Sequence, residues 1–394
     1  MEKEPIAMEE SRPQVCIQKV EVQNQRLVDD RLPVGRSGHV CLSDKANLYI
    51  YGGYNPVEGP YYAQFPNTIP NTPSRQVLAE LWKFNYTTKK WAEDVSSDIP
   101  RAAASSCGTI GNGKILVFGG TVFPFGHVMS NDLHLYDIKS KTWSKVSTVG
   151  VGTAVPNKAY GQSIFLHGKY LYVFGGAVSF YAEPVSELHR LDLKTKEWQS
   201  LSPRGVGPRG RYKQEVVTDS HRFYILGGGH LLGVEGLDVL CTFSFEDNAW
   251  EEVSTLPDRQ HGYPMPRACF ACVQWRDDVY IFGGRHYAVP HTNQVLGDIW
   301  HLSLRSMQWT KMGRDLPKPT YFQSAASPYK GLAYVYGGVI NENTRTSDLY
   351  EIQIGVLSLA DLCWRRLVDL HPDLSSCAKQ LADLGVPQDF IERL

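Results

Sequence analysis

The chain has 394 residues, 42% hydrophobic and 11% aromatic with 21 Tyr and 9 Trp, so it can bury a large core and leans toward β-structure. Its 40 basic and 41 acidic residues leave a formal net charge of −1, and no global field draws it to nucleic acid or an acidic membrane. No run approaches 18 apolar residues, which argues against a membrane-spanning helix, and eight cysteines without a framework suit a reduced intracellular protein, in the cytoplasm with the nucleus left open.

Met1 to Pro13 is acidic and polar with no apolar signal core, and residues 1–14 are expected to form a flexible lead-in. Val15 to Val22 is rich in β-branched residues and reads as a strand. From Arg36 onward one pattern recurs six times. A first strand starts near a basic or aromatic residue: Arg36, Arg101, Tyr160, Arg211, Arg267 or Tyr321. A second ends in Gly-Gly, at Gly52, Gly119, Gly175, Gly227, Gly283 and Gly337 with the glycine that follows each. A third opens on an acidic residue (Glu80, Asp132, Glu187, Asp298, Asp348), and a fourth opens on Trp91, Trp143, Trp198, Trp250 or Trp309.

The Gly-Gly pairs lie 67, 56, 52, 56 and 54 residues apart. Four strands at a period near 50 describe the blade of a propeller. The fold class is therefore all-β, a six-bladed β-propeller over residues 15–355 with a short helical tail over 356–394. The paired glycines let the backbone turn sharply and let neighbouring blades approach. These Gly-Gly turns with their spaced Tyr/Phe and Trp resemble kelch repeats from Arg36 to Ile354.

The sixth copy lacks a Trp-bearing fourth strand. After Asp348-Leu-Tyr-Glu-Ile-Gln-Ile354 the chain runs straight into Ser358-Leu-Ala-Asp-Leu-Cys. An unpaired third strand would leave an exposed edge, so the strand at 15–22 is expected to close blade six, a free N-terminal arm being the alternative. Tyr54 to Gln76, rich in Pro, Asn and Tyr, is the longest interruption and is expected to form an ordered flap over one face.

Strand alternation brings the starts of the first strands and the residues just past each Gly-Gly to one mouth of the propeller. Those positions are Arg36, Arg101, Lys158, Tyr160, Arg209, Arg211, Tyr212, Arg267, Arg285, His286 and Tyr321, with few carboxylates among them. A basic and aromatic mouth on a neutral protein points to a small anion or a chain end, because the guanidinium fork matches a carboxylate. Arg211 and Arg267 are expected as carboxylate ligands, assisted by Arg36 or Arg285, with Tyr160, Tyr212 and Tyr321 lining the pocket. The alternative for each arginine is an ion pair with a neighbouring blade's acid, such as Asp132 or Glu187.

Catalysis finds little support. There is no Gly-x-Ser-x-Gly elbow, phosphate loop or His-Glu-x-x-His, and Gly227-Gly-Gly-His230 lacks a helix start. His134, His189 and His301 recur at equivalent blade positions, as packing residues do. Cys269 and Cys272 form a lone pair on opposite faces of a strand, so neither a metal nor another cofactor is expected.

From Ser358 the period changes from two to about 3.6. Leu359, Cys363 and Leu367 form one helical stripe, with Leu362, Trp364 and Leu370 adding apolar surface, and Pro372 ends the helix. A second helical stretch is expected from Ser375 to Leu384, broken at Gly385, and a short last segment from Pro387 to Leu394.

Ser358-Leu359-x-x-x-Cys363-x-x-x-Leu367 resembles the elongin C-binding box of cullin-RING substrate receptors, in which a small cysteine between two leucines lets a helix sit close in an apolar groove. His371-Pro372-Asp-Leu374 resembles a degenerate cullin-choosing segment and leans toward cullin-2. End to end, the chain resembles the kelch-repeat receptors of the scruin-like-at-the-midline group. The residues that carry this are Gly35-Arg-Ser-Gly-His39, Asn47-Leu-Tyr-Ile-Tyr-Gly-Gly-Tyr-Asn-Pro56, Tyr160-Gly-Gln, Tyr224-Ile-Leu-Gly-Gly-Gly229, Cys272-Val-Gln, Leu296-Gly-Asp-Ile-Trp300 and Ile391-Glu-Arg-Leu394. The resemblance implies a non-catalytic substrate receptor of a cullin-2, elongin B/C ubiquitin ligase. Its substrates would be C-terminal degrons ending in small residues such as glycine or alanine, including alanine tails on stalled nascent chains. It implies contacts to elongin through Leu359, Leu362, Cys363 and Leu367 and to the cullin through Pro372 and Leu374. The same group is linked to oxidative-stress kinase signalling through protein phosphatase 2A, so a non-ligase scaffold for such a partner is the rival expectation.

Overall fold

Alternation of buried and outward residues between glycine turns leaves each repeat little choice but a short antiparallel sheet. The computed structural model describes residues 15–21, 32–56, 77–96, 98–101, 103–288 and 292–394. The expected lead-in at 1–14, the end of the first strand at Val22 and the flap beyond Pro56 lie outside them.

Six antiparallel sheets stand in a ring. Blade one contains Val40–Ser43, Asn47–Tyr51, Leu81–Asn85 and Lys90–Asp94, each strand paired with the next. Blades two, three and four repeat that order. Blade five carries two longer strands, Asp278–Ala288 and Thr292–Ser303, which extend past its Gly283-Gly284 turn. Blade six is completed from the other end of the chain: Cys16–Lys19 pairs with Leu349–Gln353, Cys16 opposite Gln353 and Lys19 opposite Tyr350. That pairing covers the edge that a missing fourth strand would expose.

The tryptophans lock each blade to the one before it. The Trp143 ring lies 5.2 Å from Tyr51 of blade one, Trp198 5.7 Å from Phe118 of blade two, and Trp250 5.8 Å from Phe174 of blade three. Trp91 meets Tyr336 of blade six at 5.6 Å, while Trp309 is fully buried and donates from Nε1 to the Leu237 carbonyl at 3.0 Å. Val15, buried beside Phe282 and Val335, serves the corresponding seam of blade six without a tryptophan.

Both glycines of every pair have positive φ, about 100° to 108° at the second. At Gly227 a side chain would collide with the Arg267 carbonyl of the next blade, and at Gly176 with Gln162. Each second glycine also donates its N–H to the next blade, as Gly53 does to Ala103 at 2.9 Å and Gly338 to Arg36 at 2.8 Å. The turn is thus also the inter-blade joint.

A closed loop of six backbone hydrogen bonds encircles the axis. Ser105 donates to Gly38, Gly161 to Ser105, Lys213 to Gly161, Cys269 to Lys213, Phe322 to Cys269 and Gly38 to Phe322, at 2.7–3.1 Å. All six residues are left-handed, with φ from 51° to 68°. Four of them are not glycine, and each such residue costs about 1–3 kcal/mol of strain that the ring must hold in place.

Candidate functional site

Above that ring the first-strand starts and the segments past the Gly-Gly turns enclose a chamber of about 590 Å³. Gly38, Ser105 and Phe322 of the ring form its floor. Tyr160, Tyr212, Arg285 and Tyr321 line it, which brings four of the seven residues expected for a chain end to one cavity. Tyr54, Phe125, Phe180 and Tyr287 add further aromatic wall.

Arg36, Arg211 and Arg267 are not in the chamber. Arg36 and Arg267 are 0% exposed and Arg211 5%. All three donate to the carbonyl two residues before them and to that of the first glycine of their own blade's Gly-Gly pair. Arg36 donates from Nε to the Val34 carbonyl (3.1 Å), from Nη1 to the Gly52 carbonyl (3.1 Å) and from Nη2 to Glu80 (2.7 Å). Arg267 donates to Met265 (2.9 Å), Gly283 (2.9 Å) and both oxygens of Asp298 (2.7 and 2.9 Å). Arg211 bonds the Arg209 and Gly227 carbonyls, with Glu235 3.8 Å away. The expectation of Arg211 and Arg267 as ligands therefore gives way to a wall function: each arginine holds its own blade's Gly-Gly turn, and Arg36 and Arg267 tie that turn to a partly buried carboxylate as well. The partner acid comes from the same blade, not a neighbour. Burial alone would raise Asp298, but Arg267 holds its carboxyl below the usual range.

The cations that do face the cavity are Arg285 and Arg345. Arg285 follows Gly284 directly, donates from Nε to Asn293 at 2.6 Å, and lies over the rings of Tyr321 (5.3 Å) and Tyr287 (5.6 Å). Arg345 was not among the expected residues. It ends a small hairpin, Val339–Asn341 with Thr344–Arg345, that rises past the Gly337-Gly338 turn. Its Nε donates to Ser37 at 3.1 Å, Nη1 to the Glu342 carbonyl at 2.7 Å, and the guanidinium sits 5.4 Å over Tyr54. No ion pair engages Arg285 or Arg345 among the described residues, and no Asp, Glu or Lys lines the cavity there.

Other cations of the expected set stand apart. Arg101 and Lys158 are exposed outside the cavity lining, Arg209 pairs with Glu183 at 2.7 Å, and the His286 ring meets the Pro266 carbonyl at 2.8 Å. The cavity's own histidine, His230, is held below its ordinary value by burial and by Arg209, so its imidazole is neutral near pH 7. Burial raises Tyr160 and Tyr212, which leaves protonated phenols facing the cavity.

Lys213 and Cys269 of the ring interact electrostatically with nearby side chains, Lys213 with Glu215, Cys107, Cys269 and His39. Burial pushes both thiols up to about 12, far from a reactive thiolate. All eight cysteines are free. Cys269 belongs to the ring and Cys272 to the following strand, and no cluster of three metal-ligating side chains occurs among the described residues. His189 meets the Ala154 carbonyl and Glu187, and His301 meets Asp278 of the paired strand at 2.9 Å.

The tail lies against the opposite face, under blades six and one. Ser358 and Asp361 form a capping box that starts the helix Leu359–Leu370, and His371 caps its end. Pro372–Cys377 makes a 3-10 turn, Ala378–Asp383 and Gln388–Ile391 are helical, and Gly385 breaks between them with φ 82°. Trp364, Val368 and Leu381 are buried, with Leu367, Leu374 and Phe390 packed against them. Lys45 on a blade-one turn pairs with Asp389 and Glu392, Arg365 pairs with Glu351, and Thr87 donates to the Arg393 carbonyl at 2.9 Å. The expected stripe accordingly splits. Leu359 (77%), Leu362 (47%) and Cys363 are exposed, whereas Leu367 and Leu374 are half-buried in the tail's own core.

A family model described as the KLHDC2/KLHL20/DRC7 Kelch-repeats domain matches residues 15–228 and 163–375. Kelch domain-containing protein 10 of Homo sapiens is 38% identical over 386 residues, covering 95% of this chain and 83% of its own length. The Kelch domain-containing protein 10 homolog of Drosophila melanogaster is 32% identical over 393 residues, covering 92% and 62%. Kelch domain-containing protein 2 of Bos taurus is 24% identical over 339 residues, covering 78% and 77%.

Proposed function

Because the chain belongs to the kelch-repeat family, in the group of Kelch domain-containing protein 10 and its homologues, we propose that it is a non-catalytic substrate receptor of a cullin-2 RING ubiquitin ligase. Its chamber takes the free C-terminal carboxylate of a substrate ending in small residues such as Gly or Ala. Arg285 and Arg345 hold the carboxylate, and Tyr160, Tyr212 and Tyr321 crowd the last side chains. The observation that carries this reading is a cavity with two arginines that lack acidic partners and no carboxylate in its lining, among the described residues. A carboxylate brought there is paired on arrival, and arginine's fork donates two parallel hydrogen bonds to it.

On the opposite face, the tail helix docks elongin C through Leu359, Leu362 and Cys363, with Leu367 bracing the helix from behind. Support comes from the exposure of these apolar groups on a helix that the propeller already anchors by its other side. Elongin B comes with elongin C, and the turn holding Pro372 and Leu374 supplies the cullin-2 contact. Chamber and helix on opposite faces suit an adaptor, which must hold a substrate and a ligase together.

The test is affinity capture from cells with wild type and with Leu359→Ala/Cys363→Ala, read for elongin B, elongin C and cullin-2. Wild type should retain all three, and the double variant should lose them at an unchanged melting temperature. A wild-type protein that captures no elongin, and instead retains a stress-activated kinase or protein phosphatase 2A, would replace the ligase reading with the scaffold.

A further inference from the structure

The chamber's mouth has two unlike sides. Its arginines stand on blades five and six, while the loops past Gly175-Gly176 and Gly227-Gly228 raise Phe180, Tyr181, Leu231 and Leu232 on blades three and four. In a six-membered ring, blade three lies straight across the axis from blade six. These four side chains are 58%, 79%, 43% and 60% exposed. Large apolar groups clustered so openly beside a cavity mark a contact surface.

The ledge is held rigidly. Arg209 of blade four reaches Glu183 of blade three at 2.7 Å, and that carboxylate accepts the Leu231 N–H at 3.4 Å. The His230 ring accepts the Leu232 N–H at 3.2 Å, and the Tyr287 hydroxyl donates to the His230 carbonyl at 3.2 Å. Phe180 and Tyr181 meet edge to face at 5.3 Å. Phe180 and Leu231 also line the chamber, so the ledge adjoins the cavity.

We propose that this ledge is a second specificity site, which takes an apolar side chain of the same substrate peptide several residues before its C-terminus. The inference rests on the chain-end reading above. With the carboxylate on Arg285 and Arg345, a peptide leaving across the axis passes over Phe180 and Leu231, and the ledge's own charges, Arg209 and Glu183, are paired with each other. The preferred ligand is then a chain end with small terminal residues and one large aliphatic or aromatic residue upstream, not a small-residue tail alone.

The experiment uses fluorescent serine-rich peptides ending in Ala-Ala with a free carboxylate, in which a single Leu is moved one position at a time. Binding to the full chain is read by anisotropy. At one or two upstream positions Leu should tighten Kd about tenfold over Ser, the worth of one well-buried apolar side chain. Tyr181→Ser/Leu232→Ser, at the two ledge residues outside the chamber lining, should abolish that gain, leave the all-Ser peptide's affinity unchanged and leave the melting temperature unchanged. A Leu effect that is absent at every position, or that survives in the double variant, overturns the ledge. If C-terminal amidation leaves binding intact, the chain-end reading fails first, and a persisting Leu effect would then belong to an internal segment. If no free-ended peptide binds, both fall.

Discussion

Removing Asp298 should unfold the protein before it disturbs the chamber. The Asp298 carboxylate accepts from Arg267 at 2.7 and 2.9 Å and from the Trp300 indole at 2.6 Å. Asp298→Ala leaves a guanidinium that is 0% exposed with only the Met265 and Gly283 carbonyls, and strands the indole N–H as well. Removing one partner of a buried pair costs about 3–5 kcal/mol, because the remaining charge has no solvent. At roughly 2 °C per kcal/mol for a domain of this size the melting temperature should fall by about 6–10 °C. Differential scanning calorimetry and urea unfolding measure it. Peptide binding below the melt should be unchanged, since neither residue reaches the cavity. A variant that melts like wild type but loses peptide would refute the wall function and return Arg267 to the site.

Three further outcomes are expected. Burial raises Glu215 to about 7, opposed by Lys213, so folding favours its protonated form and stability falls as pH rises from the ordinary value through 7; Glu215→Gln should flatten that slope by roughly 2–3 kcal/mol between pH 5 and pH 8 in paired urea titrations, and parallel slopes would remove Glu215 as its source. Gly176→Ala puts a Cβ 2.4 Å from Gln162 at φ 103° and should cost about 2–3 kcal/mol or more by urea unfolding, whereas an alanine tolerated at wild-type stability would deny the close packing of the turn on Gln162 of its own blade. Deleting residues 15–21 uncovers the Leu349–Gln353 edge, so size-exclusion chromatography should show self-association; a monomer of unchanged stability would mean that blade six needs no closing strand.

Repetition made the scaffold legible, and the same repetition misled about the site. Six Gly-Gly pairs and five tryptophans state the blade, and the absence of a sixth tryptophan points to the strand that closes the ring. Arg36, Arg211 and Arg267 recur at one repeat position and each holds its own blade's Gly-Gly turn, which is the mark of a joint shared by blades one, four and five. Strand position alone cannot say which way a long side chain runs, so the recurring arginines read as a convergent ring of ligands. Arg285 and Arg345 lie outside that pattern, on the strands that extend past the Gly-Gly turns of blades five and six. Arg285 was visible because it touches a Gly-Gly turn. Arg345 depends on a two-strand hairpin only three and two residues long, Val339–Asn341 with Thr344–Arg345, too short for a periodic signal. On the tail, the Leu359–Cys363–Leu367 period was legible, but the burial of Leu367 depends on Phe390 and Leu381 folding back, which helical periodicity does not encode.

The most direct measurement titrates one peptide ending in Ala-Ala, with a free or an amidated C-terminus, against wild type, Arg285→Ala and Arg345→Ala, by isothermal calorimetry. Losing one charge-paired arginine should weaken the free peptide by about 2–5 kcal/mol, amidation should weaken it comparably in wild type, and the amidated peptide should no longer distinguish the three proteins. Equal binding of free and amidated peptides to wild type, or full affinity in both arginine variants, would contradict a chamber built to hold a chain end.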